Sequence, residues 1–298
     1  MARFEVPEVD YTRYSNRQLA AIPLVVLAVA LLVIGGAYAT TGAPVDPGLD
    51  FTGGTELRVA VDAPSDAQAR EDIRVAFTAT PDSIQRVGTS DVYIVTFQTE
   101  GSETAQNEFT RQLESEAGEA GFDVRSIEGV GAAFGSETQN RALIGVVAAF
   151  AGMAALVFAL FRTFVPSVAV VVSAFSDIII PVALMNVLGI ELTLGTVAAL
   201  LMLIGYSVDS DILLNNSVLR RSGDFYESTY RAMRTGVTMT LTSIAAMAVM
   251  AVVASFFGIG LLASIGTILV FGLIADLMNT YLLNVSLLRW YKYEGVAR

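Results

Sequence analysis

Cysteine and histidine are both absent from the 298-residue sequence. Their absence excludes a disulfide framework, a zinc site of the usual ligand types and any Cys–His nucleophile. It also denies the interior an imidazole, so any proton relay has to run on carboxylates, hydroxyls and water. Lysine is nearly absent too: Lys292 stands alone beside 17 arginines. Charge is scarce overall. Charged residues make up 16% of the chain and apolar ones 54%, with a mean hydropathy of +0.59, whereas a soluble domain has about 25% charged residues. The few charges are bunched. Arg17 and Asp46 enclose 28 uncharged residues, Arg141 and Arg162 enclose 20, and Thr235–Ala275 is a charge-free run of 41. A span takes about 20 apolar residues, so the longest run has to be two spans with a tight turn. A soluble enzyme is excluded. Nothing in the residues calls for a metal or a cofactor, and no enzymatic activity is expected.

What charge there is lies mostly in one stretch. Residues 41–141 hold 18 Asp/Glu against 7 Arg, a net of −11, which is the net charge of the whole chain. A strongly acidic solvated domain repels phosphates and excludes nucleic acid as a partner. Acid excess combined with almost no lysine is the composition expected of a protein bathed in very high salt, where self-repulsion is screened.

Six spans follow from the apolar runs: 19–39, 142–161, 166–188, 193–215, 236–257 and 260–288. The single long connection is 40–141, and 1–18 and 289–298 are the tails. Orientation follows from arginine and lysine in the short loops. With the amino terminus inside, the inner segments carry Arg3, Arg13, Arg17, Arg162, Arg220, Arg221, Arg231, Arg234, Arg289, Lys292 and Arg298. The short outer turns near 189–192 and 256–260 carry none. Both tails are therefore expected in the cytoplasm, with residues 40–141 outside a plasma membrane that the chain crosses several times in contact with its lipid. The first span, led by Arg3, Arg13 and Arg17 and ending in Ala37-Tyr38-Ala39, imitates a secretory leader. Its apolar run of about 20 residues exceeds the 7–15 of a leader core, so it is read as a permanent span.

The outer segment alternates between the two hydrophobic periods. Thr55–Val61 reads as a strand, Asp66–Phe77 as a helix, and Ser83–Val87 and Val92–Gln98 as strands across a Gly88-Thr89-Ser90-Asp91 turn. Glu103–Ala120 reads as a helix and Phe122–Ile127 as a last strand. Strand, helix, strand, strand, helix, strand is the split βαβ order of a ferredoxin-like α+β domain. It contains no phosphate loop and no catalytic triad, so recognition or leverage is the role to expect.

Ionisable groups inside spans mark function, because each carboxylate costs about 2.5–3.5 kcal/mol at the bilayer centre. Asp177 sits halfway along the third span with Ser173 one turn earlier. On the fourth, Gly205, Asp209 and Asn216 share a stripe, and Asp211 lies about 200° away from Asp209. On the sixth, Gly272, Asp276 and Asn279 make a similar stripe. The fifth opens with Arg234, Thr238 and Thr242 at intervals of four. The polar faces of these spans imply a hydrated or hydrogen-bonded seam. Gly205 and Gly272 read as close-packing positions, Thr238 and Thr242 as helix–helix contacts, and Asp211 with Arg220 and Arg221 as an interfacial charge cluster. Asp177, Asp209 and Asp276 are the candidate functional carboxylates.

The segment Gly48-Leu49-Asp50-Phe51-Thr52-Gly53-Gly54-Thr55 resembles the glycine-rich motif after the first helix of the SecD/SecF family, accessory subunits of the Sec protein-export channel. Gly205-Tyr206-Ser207-Val208-Asp209-Ser210 resembles the fourth-span motif of its SecF members, Ser176-Asp177 their acidic third span, and Arg234-Thr235 the mouth of their fifth. The likeness covers essentially the whole chain. Asp211-Ile212-Leu213-Leu214-Asn215-Asn216 and a short loop replace the bacterial Phe-Asp-Arg-type stretch, as in archaeal members. The resemblance implies half of a transporter of the resistance–nodulation–division type and a subunit that, with SecD, promotes protein translocation on an ion gradient. It also implies the translocation channel and the moving polypeptide as partners. Asp209 is then expected to be the ion-responsive group, tuned by Arg234, whose side chain enters at the foot of the next span. Gly53 and Gly54 permit positive φ, so the chain can turn sharply from the first span into a strand. Two alternatives compete: a small-molecule or lipid exporter of the same superfamily, which normally carries two such halves on one chain, and an intramembrane aspartyl protease, whose Gly-x-Gly-Asp is absent here.

Overall fold

The structure, a computed structural model, describes residues 6, 9–87, 90–98, 103–220 and 224–295, with the backbone alone at 103, 132, 133, 220 and 295. The chain enters through α1 (Asn16–Thr41), a helix of 26 residues whose first turn is closed by a capping box between Ser15 and Gln18. At 1.5 Å per residue such a helix exceeds the roughly 30 Å of bilayer hydrocarbon. It stops at Gly42 in the left-handed conformation.

The glycine-rich motif follows as one helical turn, α2 (Leu49–Thr52), then Gly53 (φ 73°) and Gly54 (φ 125°). At Gly54 a side chain would strike the carbonyl oxygen of Phe97 on the neighbouring strand, so this position takes glycine for space as well as for φ. The α+β domain then runs β1 (Gly54–Ala60), α3 (Asp66–Ala76), β2 (Ser83–Arg86), β3 (Val92–Phe97), α4 (Glu103–Glu119) and β4 (Asp123–Val130). Its sheet order is β2-β3-β1-β4, antiparallel throughout. This is the ferredoxin-like order read from the sequence, with strand and helix ends within a few residues of the expected ones; Gly88 and Thr89 of the expected turn lie outside the described residues. Leu57, Val59, Val95 and Phe97 from the sheet bury fully or nearly so under Ile73 and Leu113 of the helices. Each such side chain stabilises the domain by about 1.5–3 kcal/mol.

The membrane bundle continues as α5 (Ala132–Phe161), α6 (Phe164–Leu188), α7 (Leu194–Arg220), α8 (Phe225–Phe256) and α9 (Gly260–Met278). After α9 the same helix widens to a π-helical stretch, Asn279–Asn284, and runs on through Val285–Trp290. Among the described residues six helices, α1 and α5 to α9 with this extension, are long and apolar enough to cross a membrane. Two begin well before the apolar runs. α8 starts at Phe225 because Asp224 accepts from the amide of Tyr226 and because Phe225, Ser228, Thr229, Ala232 and Met233 bury against the end of the bundle. α5 starts at Ala132, and its first turns lie on the glycine motif: a Cβ at Gly135 would fall 2.8 Å from the amide nitrogen of Gly53.

The helices are unequal in burial. Half of the apolar window of α6 and 56% of that of α7 are covered, but only 11% of those of α5 and α8. α6, α7 and the α9 helix therefore form the interior, and α5 and α8 flank it. In lipid there is little hydrophobic drive between helices, so small residues set the close approaches. At Gly266 a Cβ would lie 2.9 Å from the backbone nitrogen of Ala251 on α8, and at Gly272 it would run into the side chain of Leu203 on α7. Gly205, read as a packing position too, has open space around it.

Candidate functional site

Most of the buried polar residues of the bundle lie on its three central helices, α6, α7 and the α9 helix with its extension. Asp177 of α6 accepts from Ser207 Oγ of α7 at 2.6 Å and from Asn279 Nδ2 at 2.6 Å. Asp276 of α9 accepts from Ser210 Oγ of α7 at 2.8 Å and from Thr280 Oγ1 at 3.3 Å. Asp211 of α7 accepts on Oδ1 from Thr280 Oγ1 and Asn284 Nδ2, both at 2.8 Å. Asp177 and Asp211 are completely buried and Asp276 is 1% exposed. The three carboxylates thus belong to one hydrogen-bonded cluster inside the bundle.

Asp177, Asp276 and Asn279 lie together in this cluster. Asp211 does not sit in an interfacial charge cluster; it is a central member of the buried one. The side chain of Arg220 and the whole of Arg221, named with it, lie outside the described residues. Asp209, by contrast, is exposed on the opposite face of α7, as are Asn216 on α7 and Arg234, Thr238 and Thr242 on α8. Two residues apart on a helix means about 200° around it, so one aspartate faces inward only if the other faces outward. The inward place went to Asp211 because Thr280 and Asn284 present donors to it. Thr238 and Thr242 return their hydroxyls to carbonyls of their own helix, at Arg234 and Met239. Among the described residues no ion pair joins Asp209 to Arg234.

Thr280 and Asn284 are not among the candidates read from the sequence, and Ser207 and Ser210 enter only through the fourth-span motif, although the sequence carries a signal for Ser207, Thr280 and Asn284. Asp276, Thr280 and Asn284 recur every four residues, as do Ser207, Asp211 and Asn215. Either stripe is a second polar face beside the one that was read.

A second set of contacts ties the α+β domain to the bundle. Gly48 donates its amide to the Leu192 carbonyl and Leu192 returns one to Asp46, both at 2.8 Å. Asn186 Nδ2 donates to the Pro44 carbonyl at 2.8 Å, and Asp50 Oδ2 accepts from the first amide of α7, Leu194, at 2.8 Å. Asp50 thereby caps the fourth span at its positive end. Replacing it with alanine is expected to cost about 0.5–2 kcal/mol locally. Faster hydrogen exchange at the amides of 194–197, with the rest of α7 unchanged, is the check.

Glu191 lies in the same joint, held by Gln85 Nε2 at 3.5 Å. Burial pushes its carboxyl above the usual glutamate range, and Glu56, Asp46 and Asp82 push it further. A raised carboxyl favours the joined state in its protonated form. The stabilisation is complete below the ordinary glutamate pKa and is lost as pH rises through that of Glu191 itself. Protection of the Gly48 and Leu192 amides is therefore expected to weaken with rising pH, and Glu191→Gln to flatten the dependence. A profile that keeps its slope in Glu191→Gln would show that another group is responsible.

Six helices long and apolar enough to span, a ferredoxin-like domain in the first long connection and a carboxylate cluster in the core define a multi-pass membrane protein. Residues 38–65 match the SecD/SecF GG Motif family, and residues 111–294 match the family described as Protein export membrane protein SecD/SecF, C-terminal. The chain is 70% identical over 298 residues to the protein-export membrane protein SecF of Haloferax volcanii, covering 100% of both. It is 68% identical over 299 residues to that of Haloquadratum walsbyi, again 100% of each, and 40% identical over 286 residues to that of Methanolacinia petrolearia, 96% of this chain and 97% of the other. The fold is similar to the crystal structure of SecDF, a translocon-associated membrane protein, from Thermus thermophilus, with a TM-score of 0.70 and 22% identity over 96% of this chain. This chain spans 39% of that longer one. The chain belongs to the SecD/SecF family of protein-export membrane proteins and within it to the SecF type. Two of these relatives are from halophiles, in keeping with the acidic, lysine-poor composition. The exporter and protease alternatives are not favoured.

Proposed function

We propose that this export subunit is one half of a two-half membrane machine whose other half is SecD, and that the exposed polar face of α7 and α8 is where SecD docks. The observation that carries the reading is the position of Asp209, Asn216, Arg234, Thr238 and Thr242, all exposed on membrane-spanning helices of the single chain. In hydrocarbon such groups are costly, and covering them with protein removes the cost. The SecDF fold, of which this chain corresponds to a minor part, supports a second half. In the assembly Asp209 and Arg234 meet the ion that drives the cycle, the two tails face the cytoplasm, and the outer domain works on the emerging polypeptide beside the translocation channel. The arginine-rich inner loops support that orientation. The joint at Asp50 and Gly48 gives α7 a rigid handle on the outer domain, so a movement of α7 is passed outward.

The test is a mild-detergent purification of the tagged full chain with identification of what accompanies it. A six-span SecD partner in stoichiometric amount is expected. A monodisperse monomer, together with membrane crosslinking that captures no such partner, sinks the reading.

A further inference from the structure

We propose that the segment ahead of α1 is a latched strap, which seals one end of the bundle against water and whose latch is Arg289. Val6 and Tyr11 precede the first span, yet they are only 3% and 4% exposed. With Leu19 they complete an apolar cluster that includes Leu214, Val218 and Leu288 of the central helices. Leu214 is three residues past Asp211, and Leu288 is four past Asn284. This layer therefore lies directly beyond the buried carboxylate cluster, between it and that end of the bundle. Tyr11 enters deepest. Its hydroxyl donates at 3.1 Å to the main-chain oxygen of Tyr281, the neighbour of Thr280. The hydroxyl of Tyr230 on α8 donates to the Val6 carbonyl at 3.3 Å.

One side chain does most of the holding. Arg289 donates Nη1 to the Tyr11 carbonyl at 2.7 Å, Nη2 to the Tyr14 carbonyl at 2.8 Å, and Nε to Asn16 Oδ1. It is 9% exposed, and among the described residues no acid pairs with it. A buried charge without a counter-charge is costly, so simple packing at this place would favour a neutral residue. What arginine alone offers is a planar fork of five N–H donors that reaches several acceptors at once. Here all three acceptors belong to the strap and the first turn of α1. Arg289 stands five residues past Asn284, roughly 7 Å along a helix that rises 1.5 Å per residue. The attachment is thus concentrated in one guanidinium, while Thr12, Arg13 and Tyr14 stay exposed. A segment tied through so few groups opens more readily than the helices it covers. Water reaches the polar core from this end only when the strap lifts. In the orientation proposed above this is the cytoplasmic end, and that assignment of side is the one part that rests on that reading.

The chain has no cysteine, so a single introduced thiol reports without background. Ser210→Cys places it in the cluster, where Ser210 bonds Asp276. The tagged full chain, in sealed membrane vesicles of either orientation, is exposed to a small, charged, membrane-impermeant thiosulfonate, and labelling is read from the mass of the repurified chain. From the strap's side labelling is expected to be slow in Ser210→Cys alone. Adding Arg289→Gln, which removes bonds made by a charged donor, should speed it at least about tenfold. Arg289→Lys, which keeps the charge and loses the fork, falls between the two. Tyr11→Ala, which spares the latch and opens the layer, speeds labelling as well. Hydrogen exchange at the amides of 11–16 should rise with Arg289→Gln. Unchanged labelling in both Arg289→Gln and Tyr11→Ala overturns the seal, and unchanged exchange in Arg289→Gln overturns the latch. If neither variant reaches the membrane, Ser210→Cys alone decides. A thiol that stays unlabelled as long as the strap amides stay protected supports the seal, and one that labels while they are protected overturns it. Acceleration seen only from the opposite side of the membrane keeps the strap and reverses the proposed orientation, so the two ideas fail separately.

Discussion

Asp209→Asn is expected to abolish the stimulation of export while the protein folds and assembles normally. The substitution keeps size and hydrogen bonding and removes only the ability to carry and exchange charge. Asp209 is exposed in the single chain, and asparagine keeps the size and hydrogen-bonding capacity that the face offers to a partner, so the fold and the complex are expected to be retained. The expected activity is that of cells lacking the subunit. Asp211→Ala, two residues on, is expected to behave in the opposite way. It strands the donors of Thr280 and Asn284 and should cost about 1–3 kcal/mol, visible as a lower Tm and less protein in the membrane. The pair thus separates a coupling residue from a core residue within one turn of helix. Full export by Asp209→Asn at normal protein levels would remove Asp209 from the coupling role.

The α+β domain, expressed alone as residues 41–141, is expected to be largely unfolded in dilute buffer and to fold as salt is added. It has its own core of Leu57, Val59, Ile73, Val95, Phe97 and Leu113, so it does not need the membrane helices to bury its apolar surface. What it lacks is charge balance. Arg58, Arg70, Arg74, Arg86 and Arg125 are each already paired with an acid close by in sequence. Glu108, Glu114, Glu119 and Glu128 stay exposed with no ion pair among the described residues. Their repulsion reaches about 30 Å at 0.01 M salt and about 3 Å at 1 M, so it opposes the compact state mainly in dilute solution. Circular dichroism should show helix and strand signal rising with salt. Equal signal at 0.01 M and 1 M would mean that the acidity is not an adaptation to salt.

The sequence alone was enough for the parts of this protein that depend on short-range physics. Charge-free runs of span length can only be membrane helices, because a backbone in lipid has to satisfy itself. A period of two between glycine and polar breaks in residues 54–130 led to the strands, and the paired glycines of the motif do adopt positive φ. The aspartates of the bundle were a different matter. Asp177, Asp209 and Asp276 stand out in the sequence because they interrupt apolar runs, yet depth in a span says nothing about which side of a helix meets protein. Asp209 and Asp211 exchange roles with a rotation of α7 by about half a turn, and only the donors on the neighbouring helix, Thr280 and Asn284, decide between them. The same holds for Thr238 and Thr242, which are exposed in the single chain. Spans and strands follow from the local pattern of apolar and polar residues, whereas the membership of a buried polar cluster is settled by where donors on other helices arrive in space.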